Sequence, residues 1–356
     1  MTKYFSWNPV HDQIFDGEYN DQTLTTEDRV DDYSIYTFNK VNSNFSMSAL
    51  DSTKLNLNVN KDAVNISNHI YWSSNVYGKV INIITGRLWC NGTYGGKKYN
   101  AVIESYRPNY LSFNINSNFL MRDYNNILFQ NVYMNANSSG SLVILGNNNV
   151  IFSGDGSDVN IYDNFLYRIY NNNRIHFENV NFNINITGDN SIGFELNAKI
   201  LEFFSYDKDG NRGIKLNNIS YGNIYSPRIS LNDAKIYIND NAILRFSTDN
   251  LVVTSGGRFT ISSNGQMNAS GLVNNSLGFS GSDLSSYPKG LFSFNAPNGA
   301  INGFFTFDGW TTGKELSDLF MYELISVNGN TDETYLRSVL NFEDANNGLK
   351  ISMNNN

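Results

Sequence analysis

The sequence predicts an all-β protein: a parallel β-helix, or β-solenoid, forming a shaft, with a small β-rich module at the C-terminal end. Three observations carry this expectation. First, apolar and polar residues alternate strictly in Leu55-Asn56-Leu57-Asn58-Val59-Asn60, in Leu111-Ser112-Phe113-Asn114-Ile115-Asn116 and in Val180-Asn181-Phe182-Asn183-Ile184-Asn185-Ile186, the period of half-buried strands. Second, Phe129-Gln130-Asn131-Val132 returns as Phe177-Glu178-Asn179-Val180, with Phe152-Ser153-Gly154 about halfway between and Leu201 following 24 residues after Phe177. Third, the 356 residues include 60 Asn and only 5 Pro, and charged residues are 16%, against roughly 25% in an average soluble protein.

A repeat near 24 residues suits one coil of a parallel β-helix, a few short strands joined by tight bends. The tetrapeptide supplies the bend. Asn is among the few residues other than Gly that enter the left-handed backbone region. An apolar–x–Asn–apolar run can therefore turn a corner while both apolar side chains point inward. Leu216-Asn217-Asn218-Ile219 repeats the pattern off the strict register. Asn stacked on Asn in successive coils can also hydrogen-bond along the axis. Scarce Pro agrees with a backbone whose N–H groups enter ladders. An Asn-rich β-sandwich is the alternative architecture.

Taken in order, residues 1–45 form an acidic segment. Asp12, Asp16, Glu18, Asp21, Glu27, Asp28, Asp31 and Asp32 are interleaved with Tyr4, Phe5, Trp7, Phe15, Tyr19, Tyr33 and Tyr36. Such a segment is either a solvated extension or a docking element whose aromatics fill grooves on a partner. Residues 46–275 form the solenoid body. Asn and Gly clusters such as Gly146-Asn147-Asn148-Asn149 separate its strands. Arg258 to Gly271 reads as a hairpin with Asn264-Gly265 as its two-residue turn. Small polar residues from Asn274 to Pro288 read as a linker. Residues 276–356 form the C-terminal module, with apolar runs at Leu291–Phe294 and Phe304–Phe307. One helix is predicted there: Thr312 and Glu315 match a capping box, and Leu316, Leu319 and Phe320 share a face. A strand through Met321–Val327 competes for its C-terminal half.

The formal charge of −8 argues against a nucleic-acid partner, which requires an excess of Lys and Arg. A single cysteine, Cys90, excludes an internal disulfide framework and a Cys-based zinc site. His11, His69 and His176 show no ligand spacing, so neither a metal nor a cofactor is expected. No run of about 18 apolar residues occurs, which excludes a helical membrane span. The start of the chain lacks the apolar region of a signal peptide, which points to synthesis in the cytoplasm. Asp207-Lys208-Asp209-Gly210-Asn211 resembles a calcium loop only superficially, because Gly210 stands fourth where an EF-hand needs Gly sixth. It reads as a turn.

Catalytic motifs are weak: the sequence has no Gly-rich phosphate loop after a strand, no His-Glu-x-x-His and no Gly-x-Ser-x-Gly. If the protein is an enzyme, its reaction is glycan cleavage by paired carboxylates. Asp155, Glu178 and Glu202 are spaced by 23 and 24 residues, which would line them up on one face of a solenoid. Binding is the better-supported chemistry. Asn matches sugar hydroxyls with donor and acceptor, and Tyr and Trp stack on sugar rings. Trp310 and Asp308, in Phe307-Asp308-Gly309-Trp310-Thr311-Thr312, are the candidate ligand-binding residues; a partly buried core aromatic is the plain alternative for Trp310. Binding by stacking and neutral hydrogen bonds would depend little on salt.

The Phe/Leu-x-Asn-Val/Ile corners, the Asn-rich coils over residues 50–290 and the string Phe259-Thr260-Ile261-Ser262-Ser263-Asn264-Gly265 resemble phage tail fibres and tailspikes with a parallel β-helix body. That resemblance implies a homotrimer on a virion, with the N-terminal segment attached to a virion or tail component. It implies a receptor-binding protein for a bacterial surface glycan or protein. Two alternatives come with it, a polysaccharide depolymerase on the same fold and a purely structural decoration or adaptor protein. The chain departs from the tailspikes that open on Asp-Asp-Thr and an amphipathic helix, since Asp31-Asp32-Tyr33 is the nearest string. Trimerisation also has a physical rationale. Solenoid flanks with few charges leave strand edges open, and packing three chains together would cover them.

Overall fold

Parallel, in-register pairing organises almost every strand. The computed structural model describes residues 4–6, 13–16, 22–25, 34–40, 45–48, 55–67, 70–74, 79–94, 97–98, 100–105, 111–115, 118–136, 141–153, 158–163, 166–186, 192–206, 212–218, 220–254, 256–270, 285, 287–345 and 348–354, with most side chains from Cys90 onward. The chain divides into two compact units, residues 1–180 and 181–356.

In the first unit each coil contributes three strands to three faces. One face stacks Ala101–Ser105, Asn126–Gln130, Asn149–Ser153 and the C-terminal part of Leu166–Glu178. The second stacks Leu111–Ile115, Val132–Ala136 and Asp158–Asp163. The third stacks Asn118–Arg122, Ser141–Leu145 and the N-terminal part of Leu166–Glu178. Asn126 faces Asn149, which faces Arg174, so successive coils advance by 23 and 25 residues, bracketing the period read from the sequence. Parallel pairing begins before residue 46, with Tyr4–Ser6 against Gln22–Thr25 and Gln13–Asp16 against Ser34–Lys40.

The alternation of the sequence becomes an alternation of burial. Asn126–Gln130, Ser141–Leu145 and Asn149–Ser153 each bury every second residue. Because the register is direct, like stacks on like inside. Phe129, Phe152 and Phe177 form one column, with ring centroids 4.6 and 5.4 Å apart. Each such Phe contributes roughly 1.5–3 kcal/mol by leaving water.

The corners use left-handed residues as the tetrapeptide predicts. Asn131, Asn179 and Asn218 have φ of 52°, 56° and 54°. The same conformation recurs at Asp123 and Gly146 in the first unit, and at Asp240 and Ser263 in the second. Asn also forms axial ladders. Asn147 Nδ2 donates to Asn172 Oδ1 at 3.0 Å, and Asn149 Nδ2 donates to Asn126 Oδ1 at 2.7 Å. Asn147 and Asn172 are only 3% exposed. Their amides hold the bend by accepting from the backbone N–H groups of Tyr124 and Asn147, at 2.8 and 2.9 Å.

The second unit repeats the three-strand coil. Its first face runs Asn181–Ile186, Gly213–Leu216, Lys235–Ile238, Arg258–Ser262, Phe292–Asn295 and Ile325–Val327, all parallel. Its second runs from the first half of Ile192–Phe204 through Tyr221–Tyr225, Ile243–Ser247 and Gln266–Ser270 to Phe304–Asp308. Its third takes the second half of Ile192–Phe204 with Arg228–Asn232 and Asn250–Thr254.

This pairing corrects the predicted hairpin. Arg258–Ser262 and Gln266–Ser270 lie on two different faces and pair with neighbouring coils instead of with each other. The turn signal is real, but it marks a corner. Ser263 takes the positive φ, and a Cβ on Gly265 would stand 2.1 Å from the Ile238 carbonyl oxygen, so only Gly fits against the coil beneath. The residues predicted as a linker lie largely outside the described residues.

The last coil is closed by a change of direction. Gly348–Met353 pairs antiparallel with Phe304–Asp308 and with Leu340–Ala345. Glu343 and Asp344 lie exposed on Leu340–Ala345, and charge on an edge discourages further pairing. Two helices flank this sheet: α1 (Lys314–Met321), which buries Leu316, Leu319 and Phe320 as predicted, and α2 (Glu333–Val339). The capping differs from the prediction. Gly313 is the N-cap of α1 and makes no side-chain cap. Glu315 Oε2 accepts from the backbone N and Oγ1 of Thr311, while Thr312 donates to Asp344. Helix α2 is capped by Asp332, whose carboxylate accepts from Tyr335 N at 2.8 Å. Among the described residues no helix is long and apolar enough to cross a membrane.

Candidate functional site

A groove of about 740 Å³ opens on the first face of the second unit. Its floor is built by register. Lys215, Tyr237, Thr260 and Ser293 occupy equivalent outward positions on four successive strands, and Ser326 continues the row. Strands within a sheet lie about 4.8 Å apart, so the five strands span roughly 19 Å. The groove therefore runs across the strands. Two positions before Tyr237 and Thr260, Lys235 and Arg258 stand directly opposite each other and line the same groove. Alternation explains the grouping: residues i and i+2 share a face.

The groove has two chemically different ends. Lys215, Lys235 and Arg258 supply three cations at one end, and among the described residues no lining residue is acidic. Asn295, Asn328 and Ser293 supply neutral groups at the other. Asn328 is fixed there: it accepts from Ala296 N at 2.7 Å and donates to Ala296 O at 3.0 Å. Ser293 Oγ accepts from Ser326 Oγ at 3.0 Å. Tyr237 lies between the cations. Burial pushes its phenol above the ordinary tyrosine value, with the Arg258 guanidinium pulling the other way. It stays neutral at physiological pH, an aromatic ring with a hydroxyl donor. Lys235 is held by a close backbone approach: Gly213, at φ +139°, has room for no Cβ, which would lie 1.9 Å from the Lys235 carbonyl oxygen.

The residues singled out from the sequence lie elsewhere. Trp310 is 2% exposed and stacks on Phe307 at 4.5 Å and 12°, so its ring packs in the core and offers no face to a sugar. Asp308 is half-buried at the end of Phe304–Asp308, and burial raises its carboxyl above the ordinary value. Glu178 faces Ser153 across the coil, and its carboxylate lies 3.8 Å from His176. Glu202 faces Ser230 in the second unit. Asp155 lies outside the described residues, as do His11, His69 and Asp207-Lys208-Asp209-Gly210-Asn211. Cys90 is buried, and burial pushes its thiol far up. Among the described residues no cluster of three or more His, Cys, Asp or Glu could hold a metal.

Alternation and a 22–23-residue repeat would have found the groove. Lys215 and Tyr237 are 22 residues apart, and Tyr237 and Thr260 are 23. Searching for aromatic residues and carboxylates overlooked basic residues spaced at that repeat. No family model, no curated protein and no solved structure matches the chain.

Proposed function

We propose that the chain is a receptor-binding protein of the tail-fibre or tailspike type, which attaches a virion to a bacterial surface glycan through the groove on its second unit. The observation that carries this reading is the groove itself. It crosses successive coils, and it presents hydrogen-bonding groups and one aromatic ring to an extended molecule. A linear saccharide lying across the strands meets a new outward side chain at every strand spacing.

The remaining roles follow from the same reading. The acidic, aromatic-rich residues 1–45 dock the protein on its particle, and three copies associate side by side. Light scattering under native conditions should return three times the chain mass; a monomer's mass would remove the trimer. Deletion of residues 1–45 should block incorporation into particles.

The attachment role is tested by the binding of purified, labelled protein to host cells. Purified host-surface glycan should displace it, and Tyr237→Ala should weaken binding about ten-fold or more, the loss of one stacking aromatic with its hydroxyl contact. Undiminished binding by a folded Tyr237→Ala protein would remove the groove from the account. Incubation with the same glycan should release no new reducing ends; their appearance would favour the depolymerase reading.

A further inference from the structure

We infer that Asn298 is a site of spontaneous covalent modification, where the side-chain amide is lost through a cyclic imide with the backbone of Gly299. The reaction requires no enzyme and does not depend on what the groove binds. The backbone nitrogen of Gly299 attacks Cγ of Asn298. A bond forms between that nitrogen and Cγ, and the nitrogen's proton passes to solvent. The Cγ–Nδ2 bond then breaks, and Nδ2 takes up a proton and leaves as ammonia. Water opens the imide at either carbonyl, which gives aspartate or isoaspartate. Nothing is oxidised or reduced.

The chain has Asn-Gly pairs at Asn91, Asn264, Asn298, Asn302, Asn328 and Asn347. Glycine in second place favours the attack, because no Cβ crowds the nitrogen and the backbone turns freely. The dipeptide therefore ranks all of them alike, and the fold separates them. Gly92 N donates to Arg122 O at 2.8 Å, and Gly303 N donates to Ser263 O at 2.9 Å, each on a neighbouring coil. A Cβ on either glycine would stand 2.4 Å from that coil, at Tyr124 Cα and at Ile261 Cγ2, so neither backbone has room to swing. Asn264 Nδ2 donates to Asn241 Oδ1 at 2.9 Å, and Gly265 packs against the Ile238 carbonyl. Asn328 has both ends of its amide tied to Ala296. Asn347 lies outside the described residues.

Asn298 differs on each count. It is exposed, and among the described residues its side chain makes no hydrogen bond. A Cβ on Gly299 would meet nothing within 4 Å. The Gly299 N–H donates to Ala296 O at 3.3 Å, the long bond of a turn with Pro297 in second place. Amide and nitrogen are both free to move without opening the solenoid. The product places a negative charge next to Pro297, which lines the groove.

The test is incubation of the full-length protein in mildly alkaline buffer at 37 °C, once folded and once in denaturant, with peptide mapping by mass spectrometry. Circular dichroism establishes that the first sample stays folded. There, conversion at Asn298 should run at least about ten-fold faster than at Asn91, Asn264, Asn302 and Asn328, the ratio that an opening cost of about 1.4 kcal/mol at each held site sets. The Asn298 peptide should yield two products of equal mass, aspartate and isoaspartate. In denaturant the rates at these positions should converge, since nothing holds any of them. Equal rates in the folded protein, or a lead at any of the four held sites, overturns the inference. A lead of Asn298 that persists undiminished in denaturant assigns it to local sequence instead of the fold, and overturns the inference as well.

Discussion

The same device, a side chain set in register above its counterpart in the next coil, serves opposite ends in two regions. In the first unit Asn147 and Asn172 stack, and an amide donates to an amide. The stack satisfies itself and is almost wholly buried. In the second unit Lys235 and Arg258 stand opposite each other on neighbouring strands and line the groove. The registered amides are spent on each other in the buried interior, whereas the registered cations line a surface groove. The contrast separates the residues that build the solenoid from those that equip it to bind.

Substitutions should divide along that line. The largest effect belongs to the inner columns. Phe152→Ala removes the middle ring of Phe129, Phe152 and Phe177 and should cost about 3–5 kcal/mol, read as a lower denaturant midpoint. Next comes the ladder. Asn147→Leu leaves the Tyr124 N–H without its acceptor in a buried site and should cost about 1–3 kcal/mol. At the corner, Asn179→Ala forces an ordinary residue into φ 56° and should cost about 1–2 kcal/mol, while Asn179→Gly should come close to wild type. Equal losses for Ala and Gly would deny the left-handed role of that Asn. Arg258→Gln, on the open groove, should change the thermal midpoint little, the usual outcome for a surface substitution.

The smallest effect concerns Asp308. Its folded carboxyl is raised by burial, so the folded state holds the proton more tightly than the unfolded chain. The resulting stabilisation is fully present below the ordinary carboxylate value and is lost as pH rises through the folded value. Asp308→Asn should therefore raise the melting temperature slightly at pH 7 and leave it unchanged at the acid end. A larger benefit in acid than at neutrality would reverse the assignment.

Much of the fold was legible because it is periodic. Alternation announced the strands. The tetrapeptides at Asn131, Asn179 and Asn218 announced three corners, and the two of them that repeat in strict register gave the coil length. Asn264-Gly265 misled because a tight turn looks alike whether the chain doubles back or rounds a corner, and only pairing with the coil 23 residues earlier distinguishes them. Helix α2 was missed because its seven residues bury only Leu336, too little for a helical stripe, although Asp332 and the Glu333–Arg337 ion pair mark it locally. The candidate site was the least legible. Trp310 drew attention as a large aromatic residue beside Gly309, yet a large aromatic in a β-rich module fills the core more readily than it decorates the surface. Lys215, Lys235 and Arg258 look like ordinary solubilising residues until the coil register sets them side by side.

The most direct measurement of the central claim is lysine footprinting: acetylation of the full chain with and without saturating host-surface polysaccharide, read by mass spectrometry. The account predicts that labelling of Lys215 falls when the polysaccharide is bound, while that of Lys289, which lies outside the groove and pairs with Glu323, stays constant. Unchanged labelling of Lys215 under saturating polysaccharide would contradict it.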